Sequence, residues 1–381
     1  MSQTLIKLLQ DKGVDFVNPQ TNTLINIDPD KIRPGAVLYP GVTLEGKRTF
    51  VGKGARVGVK GPVAVKNSVV GPGVILGQGA AEEAVFLEGS RTGIGFSCRK
   101  GTVYEEAATS AEQTDTKMTI LFPWVTYGSN INGCELLAAG GTGPELGKFT
   151  EFGSGFIHFN FTVRCDKATP SLFGNVPEGV FLRSARIFIG GNTSVIGPVT
   201  AEFGSYAAAG IRITENLQTG KIYLGKKLPG GFMDYDPAVY PNLSRVYRRN
   251  INFIANLTAL FHWYQQVRVP LFEGLPELAH TYREAQKNVQ ANIRERIEQL
   301  EVVVKRLPES EGRASRFEEK LKNGWPWIKD RLNDYREEGE TDRRNRENFL
   351  NALPGPNLET GYLKFMKNLS DDIVQAGICW L

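Results

Sequence analysis

Cysteine and histidine are scarce in this chain. Its 381 residues hold 4 cysteines, Cys98, Cys134, Cys165 and Cys379, far apart and with no CxxC pair. That excludes a disulfide scaffold and a cysteine-based metal site, so the thiols read as free and no metal is expected. Long apolar runs are also missing. The richest stretch, Ile251 to Phe272, carries Asn252, Asn256, His262, Gln265, Gln266 and Arg268, which excludes a membrane span. The N-terminus MSQTLIKLLQDKGVDF has charges inside a short apolar stripe and reads as an amphipathic helix, not a signal peptide. Cys379 is third from the end, not fourth, so it forms no prenylation box. Cytoplasm is the expected compartment. A formal net charge of +4 with basic and acidic residues interleaved gives no stripe for nucleic acid.

What is present is glycine, 42 residues of it, most at or before Gly231. A turn-rich first part is thereby set off from a charged, helix-like second part. With 41% hydrophobic and 23% charged residues, the chain can bury a core. From Ile187 to Thr214 the sequence IFIGGNTSVIGPVTAEFGSYAAAGIRIT places Ile189, Val195, Ala201, Ala207 and Ile213 at every sixth position. That period fits neither a helix nor one long strand; it is the hexapeptide signature of a parallel β-helix. Gly190, Gly191, Asn192, Gly197, Pro198 and Gly210 supply the corner chemistry.

The same beat runs earlier, through Ile32, Leu38, Leu44, Val51, Val57, Val63, Val70 and Leu76, each expected to point inward. From Ala81 to Thr150 it fades. Less regular coils are expected there, with a protruding polar loop around Glu105 to Lys117. A second excursion is expected over Cys165 to Val180. After Asn216 the sequence turns helical: Ile251, Ile254, Leu257, Phe261 and Tyr264 form one stripe, and Ala285, Val289, Ile293, Ile297, Leu300 and Val304 another, ended by Pro308. A further amphipathic stretch runs from Glu311 to Leu350, and Gly361 to Gln375 closes the chain. The expected divisions are an N-terminal helix and linker (1–30), a left-handed parallel β-helix (31–215) and an α-helical C-terminal region (216–381), read as a bundle packed on the β-helix or on a neighbouring subunit.

The run Ile187 to Thr214, with FGSGFIHFNFT upstream, resembles the acetyltransferase domain of the bifunctional glucosamine-1-phosphate acetyltransferase / N-acetylglucosamine-1-phosphate uridyltransferase family. GSGFIHFNFT with DKATPS is closer still to bacterial proteins related to UDP-N-acetylglucosamine pyrophosphorylase. The resemblance covers roughly residues 1–215 and implies a left-handed β-helix that associates as a homotrimer with inter-subunit sites. It implies an acyl donor, acetyl-CoA, and a sugar or nucleotide-sugar acceptor. The family's nucleotidyl-transfer domain would precede Ser2, so no pyrophosphorylase activity is expected. Leu136 to Lys148 is glycine-rich like a nucleotide phosphate loop, but Gly143 stands where arginine should follow, and it reads as a corner loop.

His158 and Asn160 are the candidate catalytic residues. They alternate with Ile157 and Phe159, so they share one strand face, and a neutral imidazole near pH 7 could take a proton from an attacking amine or hydroxyl. A polar outer-face role is the bland alternative. The sequence departs from the family here: Tyr127 to Gly147, where the family's histidine falls, contains none, and Phe161 replaces the tyrosine of its Asn-Tyr pair. Lys167 falls near the family's sugar-contacting lysine and could hold a phosphate, or could be one half of a surface pair with Asp166. Gly191 and Ala209 fall on positions that line the acyl-CoA groove, where small residues also suit the corner itself. Two functions follow as expectations: an acyltransferase-like protein acting on an amino sugar, sugar phosphate or sugar nucleotide, or a non-catalytic nucleotide-sugar-binding or scaffold β-helix protein.

Overall fold

A computed structural model describes residues 2–157, 167–227, 230–232, 234, 242–307, 316–355 and 361–381. The hexad positions lie inside the prism: Ile32, Leu38, Leu44, Val51, Val57, Val63, Val70 and Leu76 are all buried, as are Ile189, Val195, Ala201, Ala207 and Ile213. Short parallel strands stack in register, with Arg91 over Thr109 and Phe188 over Tyr206, a step of about 18 residues or three hexads. The result is a parallel β-solenoid. Its first face is an 11-stranded sheet running from Asp15–Phe16 to Ile222–Tyr223. The second and third faces form one 16-stranded sheet, because the long strands Thr114–Leu121 and Ile131–Ala138 turn the corner and belong to both. The first strand thus falls inside the segment expected as linker, and the last strand beyond residue 215. Helix α1 (Ser2–Asp11) precedes the first turn with Ile6 and Leu9 buried against it.

The fading of the beat between Ala81 and Thr150 has a packing cause. In these turns the prism is filled by Phe86, Phe96, Tyr104, Tyr127, Phe152 and Phe173, in edge-to-face pairs with centroids 4.8–6.4 Å apart. Small partners make room for the rings. A Cβ at Gly133 would lie 2.6 Å from the Tyr127 hydroxyl, and one at Gly79 would lie 2.6 Å from the Phe96 ring. The expected loop at Glu105 to Lys117 is a regular turn, with strands Thr109–Ser110 and Thr114–Leu121 in register and Glu105 and Glu106 fully buried. Their charges serve packing, as described below.

The third face differs from the others in being apolar on both sides. Val51, Val70, Phe86, Tyr104 and Leu121 point inward, while their strand neighbours Phe50, Val69, Val85, Val103 and Ile120 point outward and are equally buried. Helices cover them. After a short turn α2 (Val176–Gly179) within the solenoid, the C-terminal region comprises α3 (Leu243–Trp263), α4 (Val269–Leu271), α5 (Pro276–Lys305), α6 (Arg316–Asn333), α7 (Glu340–Ala352), α8 (Gly361–Lys367) and α9 (Asp371–Trp380). The stretch expected as one amphipathic run from Glu311 is two helices, α6 and α7, with Gly339 capping the second. Pro308 lies outside the described residues. Helix α5 packs on the third face with Ala285, Val289, Ile293 and Ile297 buried. Its polar stripe runs along the solenoid corner. Glu284 accepts from Arg48 Nε at 2.6 Å, Asn288 donates to the Glu83 and Thr102 carbonyls at 2.9 and 3.0 Å, and Asn292 donates to the Gly101 carbonyl at 2.8 Å. Arg296 ends the row, 3.1 Å from the Glu135 carboxylate and donating to the Lys167 carbonyl at 2.7 Å.

Candidate functional site

The second face is open. Its outward row runs Ala64, Ala80, Ser97, Asp115, Asn132, Phe156, Ser194 and Arg212 on successive strands. Arg99 holds Asp115 through two hydrogen bonds of 3.0 and 2.9 Å, and Asn132 donates to the same carboxylate at 3.3 Å. Next in the row, Phe156 is 54% exposed, a large aromatic beside a fixed set of donors and acceptors.

Gly191 and Ala209 meet at the corner between the first and second faces. Turns stack backbone on backbone there: a Cβ on Gly153 would sit 2.4 Å from the Gly191 nitrogen, and a Cβ on Gly190 2.4 Å from the Ala209 nitrogen. The Gly210 amide donates to the Gly191 carbonyl at 2.8 Å, and Ser154 accepts from the Asn192 amide at 2.9 Å. Only a side chain as small as hydrogen fits at Gly153 and Gly190, so the turns close directly on one another here, and the residues left at the surface of the corner, Ser154, Gly191, Asn192 and Ala209, are small or polar. His158 and Asn160 lie outside the described residues. The strand Gly155–Ile157 that leads to them is described, with Ile157 buried and Phe156 outward. Lys167 is exposed, and its carbonyl accepts from Arg296 at the other corner of the second face. The structure therefore brings Gly191 and Ala209 together and sets Lys167 apart from them by the width of that face.

Among the described residues, Cys98, Cys134, His262 and His280 are unsuited to act as nucleophile or base at this surface. Burial pushes the Cys98 thiol up to about 12 and the Cys134 thiol to about 11, which leaves both protonated at neutral pH. His280 is lowered by burial and packs on Phe50 with centroids 4.7 Å apart, and His262 belongs to the helical region. Among the described residues no group of three or more His, Cys, Asp or Glu is placed to hold a metal. Nor is any described helix long and apolar enough to cross a membrane.

The sequence reading missed a buried charge cluster. Helix α3 runs into a widened turn over Tyr264–Arg268, just before Pro270, whose missing N–H already breaks the regular ladder. Tyr264 and Arg268 come onto one face there and reach back to the solenoid. Arg268 donates to Glu106 at 2.7 and 2.9 Å and to Glu105 at 2.7 Å, and the Tyr264 hydroxyl donates to Glu105 at 2.6 Å. The guanidinium also lies 3.7 Å from the centre of the Tyr362 ring. All of these groups are buried. The cluster clamps the helical region to the third face, and no solvent path leads to it.

No family model and no curated protein matches the chain. Among solved structures there is a likeness to the polySia specific acetyltransferase NeuO at 11% identity, covering 57% of this chain and 84% of that one, with a TM-score of 0.17.

Proposed function

We propose that the chain is an acyltransferase-like β-solenoid protein whose second face receives an amino sugar, sugar phosphate or sugar nucleotide. The observation that supports this reading is the corner of small residues at Gly190, Gly191 and Ala209 running beside an open polar face with an exposed aromatic. A thin pantetheine arm needs the room that a corner of small residues leaves, and Phe156 offers a flat surface to a sugar ring or base. When bound, acetyl-CoA supplies the activated acyl group. In this reading His158 takes the proton from the acceptor's amine or hydroxyl, Asn160 orients the acceptor, and Lys167 meets its phosphate.

The test is thermal denaturation of the full chain with acetyl-CoA and with a uridine sugar nucleotide. A ligand bound only by the native state at about 100 times its dissociation constant stabilises by about 2.7 kcal/mol and raises Tm by a few degrees. His158→Ala should keep that shift and lose acyl transfer. No shift with either ligand overturns the reading. A non-catalytic scaffold is the second reading, favoured by the extent of the third face given over to helix docking.

A further inference from the structure

A second cavity lies wholly in the helical region, away from the solenoid. It has a volume of about 560 Å3 and lies, half open to solvent, between α3, the segment joining α6 to α7, and the end of α9. Its two walls differ in chemistry. Ile254, Ala255 and Ala259 on α3 make one wall apolar, and Trp380 extends it. Opposite stand four carboxylates, Asp334, Glu337, Glu338 and Asp342, against the single cation Arg331.

Part of this acidity has an ordinary explanation. Asp342 lies in the first turn of α7, where negative charge offsets the exposed amides, and Glu338 is paired with Arg346. Asp334 and Glu337 are not in that turn. Neither has an ion-pair partner among the described residues, so both add uncompensated charge to the rim.

At the floor a hydrogen-bond donor is missing when the His262 ring is neutral. His262 is buried, with its side chain 9% exposed, and its Nε2 lies 2.9 Å from the Tyr335 carbonyl. A carbonyl only accepts, so Nε2 carries the proton. In the neutral ring Nδ1 is then an acceptor, and it has no hydrogen-bond partner. The nearest group is Glu338 Oε1 at 3.6 Å, which is also an acceptor and takes a hydrogen bond from Trp380 Nε1 at 3.4 Å. Two buried acceptors facing each other are repulsive unless a donor sits between them.

We propose that this cavity binds a small organic ammonium, with its N–H groups bridging His262 Nδ1 and Glu338 and its hydrocarbon body on the α3 wall. An ammonium offers three donors and a positive charge, which matches the acceptor pair and the acidic rim together. A bare divalent cation fits less well, because the described carboxylates do not converge as a coordinating group.

The probe is n-pentylammonium, titrated into the full chain by calorimetry at about pH 8, where an ordinary imidazole is neutral. Hexanoate, of similar length and opposite charge, is the control. Saturable binding of the amine and none of hexanoate is expected. Glu338→Gln should weaken it at least about tenfold, the loss of one charged hydrogen bond. That variant also disturbs Arg346 and Trp380, so the exposed rim variant Asp334→Asn is measured beside it, with a weakening of about twofold to fivefold expected from one screened charge. The proposal is overturned if pentylammonium does not saturate, if hexanoate binds equally, or if both variants bind as the parent does. It is also overturned if nitrogen NMR shows His262 Nδ1 already protonated in the ligand-free chain at that pH, since the ring then supplies its own donor.

Discussion

Arg268 joins the helical region to the solenoid by answering two buried carboxylates at once. Removing it leaves Glu105 and Glu106 without a counter-charge in a dry site, so Arg268→Leu is expected to cost about 3–5 kcal/mol in urea unfolding. Arg268→Lys should recover only part of this, since an ammonium cannot span both carboxylates as the planar fork does. Glu105 adds a pH signature. Burial raises its carboxyl to about 7 against the pull of Arg268, and the neighbouring charge of Glu106 adds to the rise. Its ordinary value is 4.5, so between the two values the folded chain holds a proton that the unfolded chain has released. The corresponding stabilisation is complete below the lower value and is lost as pH rises through the upper one. Glu105→Gln cannot ionise. The wild type should therefore lose stability relative to this variant from about pH 5 to pH 8; a difference that stays constant across that window would show that Glu105 is not shifted.

Among elements, α5 shows how a helix can follow a solenoid. One helical turn rises about 5.4 Å and successive strands lie about 4.8 Å apart, so a helix laid along the stack keeps one stripe of side chains on the corner over several turns of the prism. Glu284, Asn288, Asn292 and Arg296 use this near-match. Asn292→Ala would leave the Gly101 carbonyl buried and unpaired, at an expected cost of about 1–3 kcal/mol, and Asn288→Ala should cost at least as much because it serves two carbonyls. Equal stability of Asn292→Ala and wild type in urea would mean that this row does not hold the helix down. The stripe was visible in the sequence as four polar residues at helical spacing, but nothing local says whether such a stripe faces water or backbone. The hexads were legible for the opposite reason. Ile189, Val195, Ala201, Ala207 and Ile213 each mark an inward position that every turn must fill, so the period alone reveals them. Where aromatics fill the prism the period is lost, and Glu105 and Glu106 then read as an exposed loop because charge ordinarily signals solvent. Their partner Arg268 lies more than 160 residues along the chain, beyond any local pattern. The paired apolar residues of the third face, Phe50 with Val51 through Ile120 with Leu121, were the one direct sign that this side would be covered. As to the candidate site, the resemblance pointed to Gly191 and Ala209, which stack at one corner, but spacing along the chain could not show that Lys167 stands at the opposite edge of the face.

At the scale of the whole molecule, the covered third face limits how copies of the chain can associate. We propose a homotrimer built through the first and second faces. A closed ring of identical subunits needs two complementary patches on each, and a prism with one face covered by its own helices has two left. The second face offers Phe156 for such a contact, with the Arg99–Asp115–Asn132 set beside it, and aromatics flanked by partly desolvated polar groups are enriched at interface cores. The first face adds arginines in its outward row, Arg56 and Arg91, both exposed in the single chain. Light scattering should then give about three times the chain mass of 42.1 kDa. Phe156→Glu, which places a charge at the centre of the contact, should shift the population to the single chain without lowering its unfolding midpoint in urea. A monodisperse monomer of the wild type at micromolar concentration would remove the trimer, and with it any site that needs residues from two subunits.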